Sequence, residues 1–150
     1  MKTVHLLSPW QSIREGLFQV LDSFTLEDLD YKPFPDSFSV REIILHIAQE
    51  EYGEVQYGLT RKLRDFPLPY EPEDYPSMDS LKRLLKEVHD ETLVFLDELD
   101  EDALEGEIEA GWGGTYRLGD LLDHVIEHEI HHRGELSLIL GLLGKQGLDA

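Results

Sequence analysis

Residues Leu121 to Glu135 carry four of the chain's seven histidines, His124, His128, His131 and His132, inside a run that otherwise reads as a buried helix. A neutral imidazole is the commonest protein ligand for a divalent metal. Two of them four residues apart on a helix stand one above the other and can chelate one ion. Flanking apolar residues at helical spacing, Leu118, Leu121, Leu122, Val125, Ile139, Leu140 and Leu143, define one face. At about 100° per residue that stripe centres near Val125, Leu136 and Leu143, with His132 within roughly 20° of the centre and His128 roughly 60° away. His124 and His131 fall about 100° or more off it, so His131 is expected on the surface. The wheel thus selects His128 and His132 as the inward pair. His124 lies a further turn away, about 12 Å along the axis from His132, so a third ligand should come from another helix.

The elements that must position such a site are legible as four amphipathic helices. Ser8 followed by Pro9 predicts a helix start, with Ile13, Leu17, Val20 and Leu21 as the apolar face of a first helix over about residues 9–23. Two prolines break the pattern at Pro33 and Pro35, and Ser39 with Glu42 forms a capping box that opens a second helix from Val40 to about Tyr57. A connection rich in proline and charge follows Gly58. Ser77 caps a third helix carrying Leu81, Leu84, Leu85, Val88, Leu93, Phe95, Leu96 and Leu99, mostly on one face. Glu105 to Tyr116, with Gly111, Gly113 and Gly114, reads as a loop or a short extended turn, and the last helix runs from about Leu118 to Leu143 before Gly144. This is an all-α, four-helix-bundle pattern. Roughly 19 residues between helices two and three, at about 3.3 Å each, can recross a helix length of about 27 Å and make those two helices parallel, which predicts up-down-down-up order.

Three histidines remain as partners for the pair: His5, His46 and His89. His5 is expected ahead of the first helix and His89 at a surface or interfacial position. His46 lies in the second helix within Ile44-Leu45-His46-Ile47-Ala48, at the rim of its apolar face, where a residue lining a cleft between helices belongs. Taken alone it reads as a structural histidine, with metal ligation as the alternative. Glu50, one turn on, is placed as a hydrogen-bond acceptor or a fourth ligand.

Composition narrows the classes. Thirteen basic against 32 acidic residues give a formal charge of -19, which repels phosphate backbones and anionic lipid headgroups and argues against nucleic-acid or membrane-surface partners. There is no cysteine, so any thiol chemistry uses a thiol from outside. The 150 residues suit one domain, 1–150, and the short apolar run at the N-terminus predicts a cytoplasmic protein without a signal peptide or membrane span.

The helix-two segment around His46 and the helix-four run from His124 to Gly134 together resemble the DinB/YfiT-like superfamily of bacterial four-helix-bundle metalloproteins, over nearly the whole chain. The resemblance implies one divalent ion held by His46, His128 and His132, zinc or nickel ahead of iron or manganese. It also implies a homodimer and a small-molecule substrate, with a low-molecular-weight thiol such as bacillithiol or mycothiol transferred by some relatives. The family pattern continues after Arg133-Gly134 with Gln, where this chain has Glu135, a change that bears on a local hydrogen bond or dimer contact and not on the ligands.

The leading expectation is therefore a metal-dependent enzyme, with thiol S-transfer as its reaction. Its non-enzymatic rival is a metal-stabilised stress-response or binding module. His128-Glu129-Ile130-His131-His132 also matches the His-Glu-x-x-His pattern of zinc peptidases, with Glu129 as general base, but the extended motif and a substrate-aligning strand are missing. Glu129 and His132 fit the Glu-x-x-His half-site of a di-iron bundle without a second copy. Arg133, Trp112 and Tyr116 are left as packing or surface residues.

Overall fold

The structure, a computed structural model, describes residues 4–149, with side chains from Ser8 onward. Helix α1 spans Val4–Asp22, α2 Val40–Gly53, α3 Met78–Asp97 and α5 Leu118–Leu142, with a one-turn α4 at Glu101–Glu105. Glu107–Glu109 (β1) and Thr115–Arg117 (β2) pair antiparallel, Ile108 opposite Tyr116. The capping signals act as expected. Glu42 N–H donates to Ser39 Oγ at 3.1 Å while Ser39 N–H donates to Glu42 Oε2 at 2.7 Å, and Ser77 accepts from Ser80 N–H at 3.1 Å.

Three boundaries differ from expectation. Pro9 does not open α1 but lies inside it; a proline removes only the bond its own N–H would make one turn back, and the helix continues on both sides. His5 therefore falls within the helical backbone and not ahead of it. The second helix continues past Gly53 as a wider π turn, Glu54–Leu59, closed by Thr60 N–H donating to Val55 O at 2.8 Å. The short extended turn expected at Glu105 to Tyr116 is the hairpin, with Gly113 and Gly114 supplying the positive φ angles of its turn, but an unexpected α4 precedes it, because Asp100 caps it by accepting from Ala103 N–H at 2.9 Å. Gly111 lets this hairpin dock on the π turn. Its N–H donates to Gly58 O at 3.0 Å, and a Cβ there would lie 2.1 Å from the Tyr57 carbonyl oxygen.

Helix order follows from the core, which has two apolar halves. One contains Leu17 and Leu21 of α1, Ile44 and Ala48 of α2, Leu81 and Leu85 of α3, and Leu136 and Leu140 of α5. The other contains Trp10 of α1, Val55 after α2, Leu96 of α3, and Leu122 and Val125 of α5. Helices α1 and α5 run from the second half to the first, and α2 and α3 run from the first to the second. The bundle is up-down-down-up, with the residues between Leu59 and Met78 as the crossover. Arg41 anchors the start of α2 by donating to Tyr75 O at 2.6 Å and to Asp30 Oδ1 at 3.3 Å. No helix among the described residues is long and apolar enough to cross a membrane.

Candidate metal centre

Antiparallel packing of α2 on α5 brings His46 against His128 and His132. The ring centroids are 4.8 Å apart for His46 and His128, 4.8 Å for His46 and His132, and 4.5 Å for His128 and His132. One ligating atom from each lies within 4.8 Å of the others. His46 Nε2 and His128 Nε2 face each other at 3.1 Å. Two neutral nitrogens at that distance need a proton or a cation between their lone pairs, and a third imidazole beside them suits a cation. Burial, aided by His132, holds His46 below the usual histidine range, and the same causes with His46 added push His128 down to about 3. Both rings are therefore neutral at neutral pH, the form that ligates.

The surroundings fix ring orientation. His132, whose side chain is only 12% exposed, places Nδ1 at 2.7 Å from Glu135 Oε2. A carboxylate there accepts from Nδ1–H and leaves Nε2 as the ligating atom. Glu50 Oε1 stands 3.8 Å from His46 Nδ1, too far for a direct hydrogen bond. A cavity of about 490 Å³ opens beside His46 between α2 and the crossover. Phe38, an exposed residue that lines the cavity, lies with its ring centroid 5.6 Å from that of His46. Gln49, on the cavity wall, donates from Nε2 to Pro67 O at 2.6 Å, while its buried Oε1 accepts from nothing. An acceptor left so costs about 1–3 kcal/mol.

The other histidines go elsewhere. His131 is exposed, as expected, and forms a second possible ligand group only with His132 and Glu135. His124, with a side chain 64% exposed, sits 3.3 Å from Glu54 Oε1. Burial raises the Glu54 carboxyl to about 6 against the pull of His124, with Glu50 adding to the rise. A carboxyl raised in the folded state stabilises the fold fully below its unfolded value, near 4.5, and that contribution is lost as pH rises through about 6. Glu54→Gln is therefore expected to flatten the fall in stability across this window, read as urea midpoints at stepped pH; parallel curves for the two proteins would assign the fall to another group.

His89 corrects the surface expectation. It is 8% exposed, its Nδ1 lies 2.7 Å from Glu51 Oε1, and its ring meets Trp10 edge to face. Glu129 is likewise no general base for a peptidase. It is 2% exposed and points into the core, where its Oε2 accepts from Trp10 Nε1 at 2.9 Å and from Arg14 Nη2 at 2.8 Å. Arg14 Nη2 also donates to Glu51 Oε2 at 2.5 Å. Arg14, Glu51, His89 and Glu129 thus form a polar layer between the two apolar halves, one residue from each long helix. Burial opposes the charge on Glu51, yet Arg14 and His89 hold its carboxyl below the usual range; burial wins at Glu129, whose carboxyl is raised. The spacing Val125, Glu129, Leu136, Leu140 puts Glu129 on the apolar stripe, the signal that reveals it. Arg133 packs its guanidinium over Gly16, and Trp112 stacks on Gly58 beside Tyr116, so none of these three meets the triad.

The fold is shared with known proteins. Residues 10–136 match the family model of the DinB superfamily. The chain is 24% identical over 144 residues to YjoA of Bacillus subtilis strain 168, itself uncharacterized, covering 93% of this chain and 89% of that protein. A crystal structure of a DinB-like protein from Bacillus cereus ATCC 10987 superposes with a TM-score of 0.72 at 19% identity, over 99% of this chain and 97% of that one. The crystal structure of YjoA gives 0.70 at 24% identity, over 97% and 96%. A conserved protein of Enterococcus faecalis gives 0.70 at 20%, over 97% and 99%. These structures share the fold, and with the family match over most of its length, the chain belongs to the DinB superfamily.

Proposed function

We propose that this protein is a metal-dependent enzyme that holds one divalent ion through His46, His128 and His132, zinc or nickel ahead of iron or manganese, and transfers a low-molecular-weight thiol to a small electrophile. The observation that carries the reading is the convergence of three imidazoles from two helices, one of which, His46, lines a cavity. A site built only to stabilise the fold has no need of that cavity, which separates this reading from a non-catalytic module. When bound, a divalent ion supplies Lewis acidity that makes a thiol a thiolate at neutral pH.

The chain's own residues do the rest. Burial keeps His46 and His128 unprotonated, so their lone pairs are available without proton loss. Glu135 holds His132 in one tautomer, and the cavity beside His46 offers the organic substrate aromatic walls. In the transfer, a sulfur–carbon bond forms as the bond from that carbon to its leaving group breaks, and the thiol proton passes to solvent. Cobalt-substituted protein is expected to change its visible spectrum when bacillithiol or mycothiol is added, with no change in His128→Ala. A spectrum indifferent to every small bacterial thiol would overturn the thiol assignment while leaving the metal site to its own test.

A further inference from the structure

The cavity beside His46 has a one-sided chemistry. Phe38, Phe66 and Tyr70 give it aromatic walls, and Glu42, Glu50 and Glu71 give it carboxylates. Among the described lining residues there is no lysine or arginine. Glu42 is held by its capping hydrogen bond and by Lys32 at 3.7 Å. For Glu50 the nearest basic group shown is the His46 ring, with Nδ1 3.8 Å from its Oε1. Burial, with Tyr75 and Tyr52 nearby, pushes the Tyr70 phenol up to about 12, so that wall adds no charge of its own. Gln49, only 7% exposed, brings a buried carbonyl oxygen to the same wall with no donor for it.

From this we infer that the cavity binds a protonated primary or secondary amine carrying an apolar, aromatic-sized body. Each feature selects for a different part of such a molecule. Aromatic faces attract a cation through their quadrupoles and cover its apolar body. Carboxylates oppose an anion and favour a cation by charge. The lone Gln49 oxygen requires an N–H donor, which excludes a quaternary ammonium as the best fit. The inference rests on the metal-centre reading only in making this amine the molecule brought to the reaction; the binding itself involves none of the ion's chemistry.

The test is calorimetric titration of metal-stripped protein near neutral pH with phenethylamine, its trimethylammonium analogue and 3-phenylpropionate. Stripped protein is the primary arm because an amine can also ligate a metal directly. Phenethylamine is expected to bind at least about tenfold more tightly than either comparison compound, the difference a charge-assisted hydrogen bond makes. Gln49→Leu should bring the amine down to the level of its trimethylated analogue. Because Gln49 also holds Pro67, Glu71→Gln serves as a second variant, expected to weaken the amine several-fold with the circular dichroism spectrum unchanged. Equal or tighter binding of 3-phenylpropionate, no amine binding at millimolar concentration, or amine affinity indifferent to both variants would overturn the inference. Metal content, measured on the same preparation before stripping, decides the metal reading separately.

Discussion

Tag-free protein is expected to carry close to one divalent ion per chain, measured by mass spectrometry, and His46→Ala, His128→Ala and His132→Ala are each expected to lose it. Removing one of three imidazoles from a chelate leaves two, and affinity should fall by more than the roughly 10–100-fold typical of losing a residue that merely supports a ligand. Glu135→Ala sets that lower mark, because His132 keeps its lone pairs but loses the carboxylate that fixes its tautomer. Glu135→Gln offers an amide oxygen that can accept from the same Nδ1–H, so it should retain more metal than Glu135→Ala. His131→Ala and His124→Ala are the controls: both histidines lie on α5 and both are exposed. Metal retained in His46→Ala and His128→Ala but lost in His131→Ala and His132→Ala would move the site to the group His131, His132 and Glu135. No metal in the wild type and no uptake from added zinc would leave three structural histidines and remove the basis for the proposed reaction.

The inward pair was legible because a helix converts spacing into direction. His128 and His132 lie near an apolar stripe whose angle the sequence defines, and the same geometry places His124 and His131 outside it. His46 was harder to assign, since a lone histidine at the rim of an apolar face has no internal signal distinguishing ligation from packing. Its meaning depends on α5 running antiparallel to α2, and that arrangement depends on the long crossover. The crossover could be read from its length alone, and its proline content explains why it forms no fifth long helix.

What escaped the pattern was the chemistry inside the core. Arg14, Glu51 and Glu129 all occupy stripe positions, Arg14 between Trp10 and Leu17, Glu51 between Ala48 and Val55, and Glu129 between Val125 and Leu136. A periodicity count that scores charged residues as outward-facing passes over them, since each needs partners on other helices to be tolerable inside. His89 was misplaced for the same reason, since its partner Glu51 comes from α2. The cavity too was invisible, because its far wall is an irregular segment whose path no helical period specifies.

That buried layer carries the largest expected effect on stability. Arg14→Leu leaves Glu51 without the cation that, with His89, keeps its carboxyl ionised, and leaves Glu129 with Trp10 as its remaining hydrogen-bond donor. Breaking one partner from a buried ionic group costs about 3–5 kcal/mol, whereas a buried group replaced as a whole by apolar residues is often neutral. For a chain of this length about 2–4 °C of Tm accompanies each kcal/mol, so thermal melts of Arg14→Leu should fall by roughly 6–20 °C. Arg14→Leu combined with Glu51→Leu and Glu129→Leu should recover part of that loss, although His89 then lacks its carboxylate. The comparison separates electrostatics from packing: if the loss reflected only the volume of the arginine, the triple variant would melt lower still. A melt of Arg14→Leu close to wild type would mean that Glu51 and Glu129 take up protons without strain. The layer matters to the site because Glu129 directly follows His128 and is tied to α1 on the core side of α5. A helix turned by one residue, about 100°, would swing both His128 and His132 away from α2 and pull Glu129 from its partners, so the polar layer sets the rotation of α5 on which the triad depends.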